Sequence, residues 1–210
     1  FLNQLFQRSI KLKTKFYIEA LFLITLGMIT SLSLPPLNYF VLNFFTFTLF
    51  FLFLIKKSEQ NKNLFLFFLY GWLFGFGYFL TNLYWISISL TFDQSYKFLI
   101  PLTVFLIPSF LAIFYGLVSF FFRTLKPKSK IGSFFTFSLI FGALEFVRGS
   151  ILTGFPWKLI AYSFSNFLEF VSIISIIGTY AFNLFCISLF TVPAIFFTSL
   201  KNKKDFSIVI

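Results

Sequence analysis

Long apolar runs separated by short polar segments dominate the chain. Most are about 20 residues long or more, which is enough for a helix to cross the hydrocarbon core of a bilayer. A further apolar run begins after a basic segment near the C-terminal end, at residues 206–210, and predicts the start of a seventh span. We therefore predict an all-α polytopic transmembrane helix bundle. Its six complete spans have the approximate bounds 16–34, 38–55, 64–90, 98–122, 131–147 and 167–200.

Composition narrows the class of protein further. Hydrophobic residues make up 59% of the chain and charged residues 11%, and the mean hydropathy is +0.93. A soluble domain of this size could not solvate such a surface, so that class is excluded. One cysteine and no histidine exclude a disulfide framework, a Cys/His metal site and a histidine-based triad within this chain. We expect no metal and no cofactor.

The basic residues predict how the chain is oriented. The formal net charge is +11, which in a soluble protein would suggest a nucleic-acid partner. Here the lysines and arginines fall between the apolar runs, a pattern typical of membrane orientation, so we expect no nucleic acid. Of the 17 lysines and arginines, 14 lie at the chain ends or in the connections on one predicted side of the membrane. The other three are Lys97, Arg148 and Lys158. The positive-inside rule then predicts that residues 1–15 are cytoplasmic, and that residues 201–210 form a cytoplasmic loop and the start of the seventh span.

Residues 142–162, GALEFVRGSILTGFPWKLIAY, combine charge, glycine, proline and tryptophan in one segment at the predicted outer, periplasmic face. Glu145 and Arg148 are three residues apart, so on a helix they share one face and can pair. Gly154 and Pro156 interrupt regular helix, because proline lacks an N–H and disfavours helix in the residue before it. The sequence therefore predicts a bent polar loop, residues 148–163.

The charges and the tryptophan of this loop each allow two interpretations. Glu145 and Arg148 form either an exposed ion pair, with Arg148 reaching to water and contributing at most about 1 kcal/mol, or part of a functional pocket. In the functional interpretation, Arg148 and Lys158 flank the turn and form a cationic pocket for a phospholipid phosphate. Trp157 is either an interfacial anchor or, presented from a loop, a contact for a partner or an acyl chain.

One face of the third predicted span combines small, polar and aromatic residues at steps of three and four. These residues are Gly71, Gly75, Tyr78, Asn82, Trp85 and Ser89. The face serves either as a packing surface with an interfacial anchor or as the lining of a lipid-accessible cavity. The opposite stripe is wholly apolar, so we expect it to face lipid: Leu73, Phe76, Leu80 and Leu83.

Two further side chains within the spans, Cys186 and Glu19, show no pattern that predicts a function. Cys186 has no basic neighbour that could activate its thiol, so we predict an inert core residue. Glu19 lies in the first span, and the sequence identifies no partner for it. The candidate binding residues are therefore Trp157, Arg148, Glu145, Phe155, Lys158, Trp85, Asn82 and Tyr78.

Three segments of the chain resemble the membrane domain of the bacterial apolipoprotein N-acyltransferases. The most specific one reads Glu145-Phe146-x-Arg148-Gly149, then Leu152-Thr153-Gly154-Phe155-Pro156-Trp157, then Tyr162-Ser163. The second is Leu34-Pro35-Pro36-Leu37-Asn38. The third follows the stripe described above, as Gly71, Gly75, Gly77, Asn82, Trp85, Ile86 and Ser89.

The resemblance implies a bacterial inner-membrane enzyme that transfers an acyl chain from a phospholipid to the amine of an S-diacylglyceryl-cysteine lipoprotein. It further implies a Glu-Lys-Cys triad in a periplasmic nitrilase-like domain, which would follow the next span. We therefore expect this chain to be truncated before that domain and to contain no catalytic residue, Cys186 included. The expected partners are the phospholipid donor, the lipoprotein acceptor and the bilayer, with the protein acting as a monomer.

Two other functions remain open from the residues alone. A transporter or channel subunit would carry charged residues facing a pore and broken helices in symmetric halves. The first half of the chain has no counterpart of the Gly-Phe-Pro-Trp turn, which disfavours that hypothesis. A non-catalytic membrane scaffold would share all the residues named here, so the sequence does not separate it from the acyltransferase.

Overall fold

The computed structural model describes residues 2–125, 127, 129–151 and 156–199, with side chains from residue 14 to residue 197 within those ranges. All regular elements there are helical. The α-helices are α1 Leu2–Ser31, α2 Val41–Gln60, α3 Leu64–Leu83, α4 Ile100–Leu125, α5 Lys130–Ser150, α6 Leu168–Ile177, α7 Thr179–Thr191 and α8 Pro193–Ser199. Three 3₁₀ helices join them: η1 Tyr84–Thr91, η2 Gln94–Leu99 and η3 Ile160–Phe164.

Within the described residues, six helical segments are long and apolar enough to cross a membrane, which confirms the predicted bundle. Their bounds are Thr14–Ser31, Val41–Gln60, Leu64–Thr91, Gln94–Leu125, Lys130–Ser150 and Thr179–Phe197. The sixth differs from the predicted range 167–200. Gly178 adopts φ 84°, a conformation that glycine accepts readily, and separates the ten-residue α6 from α7. The predicted seventh span lies outside the described residues.

The third span also departs from a single continuous helix. It begins where the Asn63 side chain accepts hydrogen bonds from the N–H groups of Phe65 and Leu66. It leaves the α-helical conformation at Leu83 and continues as η1. In η1 the hydroxyls of Ser87, Ser89 and Thr91 each donate to the carbonyl three residues earlier. Such local bonds compete with the regular helical ladder, so the stripe predicted through Trp85 and Ser89 does not lie on one α-helical face.

Helix α3 occupies the centre of the bundle, between α1 and α4. A Cβ added at Gly77 would lie 2.1 Å from the carbonyl oxygen of Ile24, and one at Gly71 would lie 2.1 Å from that of Tyr115. Glycine therefore permits the close approach of both neighbours. The prediction that one stripe of α3 faces lipid is wrong for Leu73 and Leu83, which are buried, whereas Phe76 and Leu80 are partly exposed.

Buried aromatic rings fill the interior, with the rings of Phe50 and Phe74 stacked at a centroid distance of 4.1 Å. Cys186 is fully buried in this core, as predicted. The bundle has two polar ends. The motif end is formed by residues 32–40, η1 and residues 156–165; the basic end is formed where α2 ends and α3 begins, beside the N-terminal half of α1.

Candidate functional site

The predicted pair of Glu145 and Arg148 forms in the last turns of α5. Arg148 Nη2 donates to Glu145 Oε2 at 2.7 Å, and Arg148 Nε donates to Glu145 Oε1 at 3.3 Å. Both side chains are 1% exposed, and the guanidinium lies 5.2 Å from the ring centroid of Phe79. The interpretation as an exposed pair with Arg148 reaching to water is therefore wrong, because other helices cover both side chains.

Two side chains from the spans donate hydrogen bonds to the consecutive carbonyls of Trp157 and Lys158 at the motif end. Arg148 Nη1 donates to the carbonyl oxygen of Trp157 at 3.2 Å. The Tyr78 hydroxyl, on the buried centre of α3, donates to the carbonyl oxygen of Lys158 at 2.6 Å. Lys158 adopts φ 59°, a left-handed conformation that is uncommon for residues other than glycine. The buried polar residues thus fix the backbone from which Trp157 and Lys158 project.

Above this framework, two indoles stack at the surface of the motif end. The rings of Trp85 and Trp157 lie 5.7 Å apart with an interplanar angle of 15°. Both tryptophans are nearly half exposed. They border a cleft of about 370 Å³ that joins three separate parts of the chain. The cleft is lined by Pro35, Trp85, Trp157, Lys158, Tyr162 and Ser165.

Apart from the indole N–H groups, the polar side-chain groups of this cleft are one ammonium and two hydroxyls. Burial lowers the pKa of the Lys158 ammonium below its usual 10.5. The Lys158 Nζ also approaches the carbonyl oxygen of Pro35 at 3.5 Å. Burial, followed by the nearby Tyr180, raises the pKa of Tyr162 above 10.0, so its hydroxyl remains a hydrogen-bond donor. The cleft can therefore hold an apolar chain against the indoles and an anion beside Lys158.

The side chains that line the cleft provide groups for binding a ligand. Its six lining residues include neither a carboxylate nor a thiol, and Cys186 lies in the bundle core. Across the described ranges, no group of three His, Cys, Asp or Glu side chains comes together that could hold a metal ion. The arrangement can position a lipid-like molecule between the indoles and the Lys158 ammonium.

The predicted site residues divide into two layers. Trp85, Trp157 and Lys158 line the cleft, whereas Tyr78, Asn82, Glu145 and Arg148 lie beneath it and are buried. Asn82 Nδ2 donates to the Tyr78 carbonyl, and the Asn82 carbonyl accepts from Trp85 Nε1, each at 3.0 Å. Arg148 and Lys158 therefore do not share a cationic pocket. Phe155 lies outside the described residues.

Sequence reasoning missed other residues at the site. Pro35, Tyr162 and Ser165 line the cleft, and the segments that resemble the acyltransferase family did carry the first two. The buried Asn183 side chain of α7 accepts a hydrogen bond from the Ala161 N–H at 2.9 Å and so holds η3. No local pattern could have revealed this contact, because the two residues are 22 positions apart.

Comparisons with known proteins agree with this architecture. A family model described as the apolipoprotein N-acyltransferase N-terminal domain matches residues 26–192. An apolipoprotein N-acyltransferase of Rhizobium rhizogenes is 34% identical over 183 residues, which cover 84% of this chain and 34% of the relative. One of Rhizobium etli is 33% identical over 86% of this chain and 35% of the relative. One of Brucella melitensis is 31% identical over 80% of this chain and 33% of the relative.

These matches run across nearly all the described spans, including both layers of the site. The chain spans about a third of the length of these curated relatives. The family model and the relatives agree with the resemblance carried by the three sequence segments. The chain therefore belongs to the apolipoprotein N-acyltransferase family, of which it contains the N-terminal membrane domain.

Proposed function

We propose that this chain is the membrane domain that brings a phospholipid acyl donor and a diacylglyceryl lipoprotein acceptor to the catalytic part of an apolipoprotein N-acyltransferase. The names of its relatives support the reaction class. The observation that carries the proposal is the cleft at the motif end, where the stacked pair of Trp85 and Trp157 adjoins Lys158. Catalysis itself belongs to the part of the relatives that this chain does not cover.

The cleft provides an apolar surface and a cationic group that one phospholipid molecule can contact at the same time. Burial of an acyl chain contributes about 0.8 kcal/mol for each CH₂ group, and the indole faces supply apolar surface for it. The Lys158 ammonium supplies a charge for the phosphate, as the hydroxyls of Tyr162 and Ser165 supply hydrogen-bond donors. A donor held in this way would keep its ester near the surface of the membrane.

The buried layer acts as a set of positioning residues. Arg148 and Tyr78 hold the carbonyls of Trp157 and Lys158, and Glu145 neutralises the Arg148 charge. Hydrogen bonds from the rigid spans limit the motion of the two cleft residues. Such preorganisation favours binding, because less conformational freedom is lost when the lipid arrives.

We further propose that the motif end faces the periplasm of a bacterial inner membrane and that residues 1–15 are cytoplasmic. The basic residues of the alternate connections support this orientation. It places the cleft on the side where lipoproteins are matured. We propose that the protein works as a monomer and binds no nucleic acid. The transporter hypothesis is not favoured, because Glu19 and Glu145 are each paired with a cation.

Substitution of Trp157 in the full enzyme tests the cleft directly. Trp157→Ala should lower N-acylation of a lipoprotein, measured by mass shift in isolated membranes, by about tenfold. Protein level should change little, because the ring is about half exposed. Phe92→Ala is the matched control, since Phe92 is an exposed aromatic residue at the same end and does not line the cleft.

Two outcomes would contradict the proposal. Equal losses of activity and protein level in Trp157→Ala would leave Trp157 with a structural role only. Absence of N-acylation by the unmodified full protein would favour the non-catalytic scaffold instead.

A further inference from the structure

A second cavity lies at the basic end, on the opposite side of the bundle from the cleft. It has a volume of about 260 Å³ and opens between α1, the end of α2 and the start of α3. The acyltransferase function proposed above does not involve it. Its lining combines cations, amides and apolar groups: Lys15, Phe16, Glu19, Lys57, Gln60, Asn61, Leu66 and Tyr70.

The inner wall of this cavity is a fixed polar cluster. Lys57 Nζ forms an ion pair with Glu19 Oε1, and the Tyr70 hydroxyl donates to Glu19 Oε2 at 2.9 Å. Lys57 is 8% exposed, and its Nζ lies 5.4 Å and 5.7 Å from the ring centroids of Phe53 and Tyr70. Both oxygens of the carboxylate are thus engaged, which holds the ammonium in place against the cavity.

The buried ammonium keeps hydrogen-bonding capacity that the protein does not use. A lysine ammonium has three donors, and in the described part of the chain Glu19 alone accepts from Lys57 Nζ. Lys15 stands exposed at the rim and has no ion-pair partner among the described residues. Gln60 and Asn61 add amide groups beside it. These donors favour a ligand with several acceptor oxygens.

The charge of the cavity also favours an anion. With Glu19 neutralised by Lys57, Lys15 leaves the lining with a net positive charge, and Lys56 and Lys62 lie close in sequence to the lining residues. A phosphate group combines negative charge with acceptor oxygens and is a common ligand of lysine. Since this end carries the basic connections of a membrane protein, the phosphate most readily available to it is that of an anionic lipid.

We propose that this cavity binds the phosphodiester headgroup of an anionic phospholipid in the leaflet at the basic end. The cavity of about 260 Å³ has room for a phosphate with a small substituent. Phe16 and Leu66 supply the apolar wall against which the glycerol end of the lipid packs. This lipid is separate from the acyl donor, because the cleft lies at the other end.

Native mass spectrometry of the full protein, extracted from vesicles that contain phosphatidylglycerol and phosphatidylethanolamine, tests this site. We expect retained phosphatidylglycerol, and Lys15→Glu should reduce the retained fraction by about tenfold. Lys97→Glu is the matched control, because it makes the same charge change at an exposed lysine of η2 that does not line the cavity. Gln60→Leu provides a milder variant with unchanged charge, and it should lower retention several-fold, deciding the question if Lys15→Glu fails to fold.

Three results would overturn the proposal. Retention that is unchanged in both cavity variants would exclude the site, and an equal loss in Lys97→Glu would indicate non-specific surface charge. The third result would be that inorganic phosphate at millimolar concentration displaces the lipid and binds alone with the same dependence on Lys15. That result would assign the cavity to free phosphate.

Discussion

Two ion pairs among the described residues have similar partners and opposite surroundings. At the motif end, Glu145 and Arg148 lie on one helix and are 1% exposed. At the basic end, Glu19 and Lys57 join two helices, are 38 residues apart and border an open cavity. The first pair holds a loop in place, whereas the second leaves donors for a ligand.

The chemistry of the two cations explains this difference. A guanidinium has five donors in a planar fork, so Arg148 pairs with both oxygens of Glu145 and still reaches the Trp157 carbonyl. The Lys57 ammonium is a compact charge and makes one hydrogen bond to Glu19 in the described part of the chain. An arginine therefore suits a structural junction, and a lysine beside a cavity suits exchange with a mobile ligand.

The largest effect is expected from breaking the pair at the motif end. Arg148→Met leaves the Glu145 carboxylate buried without its cationic partner, which should destabilise the protein by about 3–5 kcal/mol. Thermal unfolding of the full protein in detergent, followed by tryptophan fluorescence, would measure the loss. The double variant Glu145→Leu with Arg148→Met should recover most of the stability, because apolar replacements of buried pairs are often tolerated.

That double variant also separates stability from positioning. It lacks the hydrogen bond to the Trp157 carbonyl. N-acylation should therefore stay low although the fold is recovered. Full activity in the double variant would show that the pair contributes to stability alone.

Breaking the ion pair at the basic end should lower the free energy of unfolding by a smaller amount. Lys57→Met leaves Glu19 with the hydrogen bond from Tyr70 and with access to water from the cavity. We expect a destabilisation of about 2 kcal/mol, measured by the same unfolding assay. A loss as large as that of Arg148→Met would mean that the cavity does not solvate the carboxylate, and it would remove this contrast between the ends.

A matched pair of tyrosine substitutions sharpens the comparison. Tyr78→Phe removes a hydrogen bond to a neutral carbonyl and should cost about 1 kcal/mol, whereas Tyr70→Phe removes one to a carboxylate and should cost about 2 kcal/mol. Both variants keep the ring, so packing is preserved. The reverse order in thermal unfolding would contradict the assignment of these bonds. Tyr78→Phe should also lower N-acylation several-fold, because Lys158 loses its backbone anchor.

The smallest effect concerns pH at the cleft. Because burial lowers the pKa of Lys158, its ammonium is lost at a lower pH than that of an ordinary lysine, and an anion bound to it is released as pH rises. The apparent KM for phospholipid should therefore increase in the alkaline range below pH 10.5. Lys158→Arg, which stays charged, should remove the increase. An identical profile in that variant would assign the pH dependence to another group.

The class of protein and one local ion pair could be predicted from the sequence alone. Span-length apolar runs predicted the bundle, because each helix in a bilayer must satisfy its backbone internally. The spacing of Glu145 and Arg148 predicted their ion pair, because residues three apart share a helical face. The motif residues pointed to the family, and Trp157, Lys158 and Trp85 do line one cleft.

Contacts between residues distant in the chain could not be predicted from the sequence, because they depend on how the helices pack. Helix α3 packs between α1 and α4, and this packing buries Leu73 and Leu83. The periodicity of α3 alone does not show which helices pack against it. The partner of Glu19 lies on another helix, and the stacked indoles come from segments that only the fold brings together. The periodicity of a helix shows which of its faces is apolar. Whether that apolar face contacts lipid or another helix depends on how the helices are arranged.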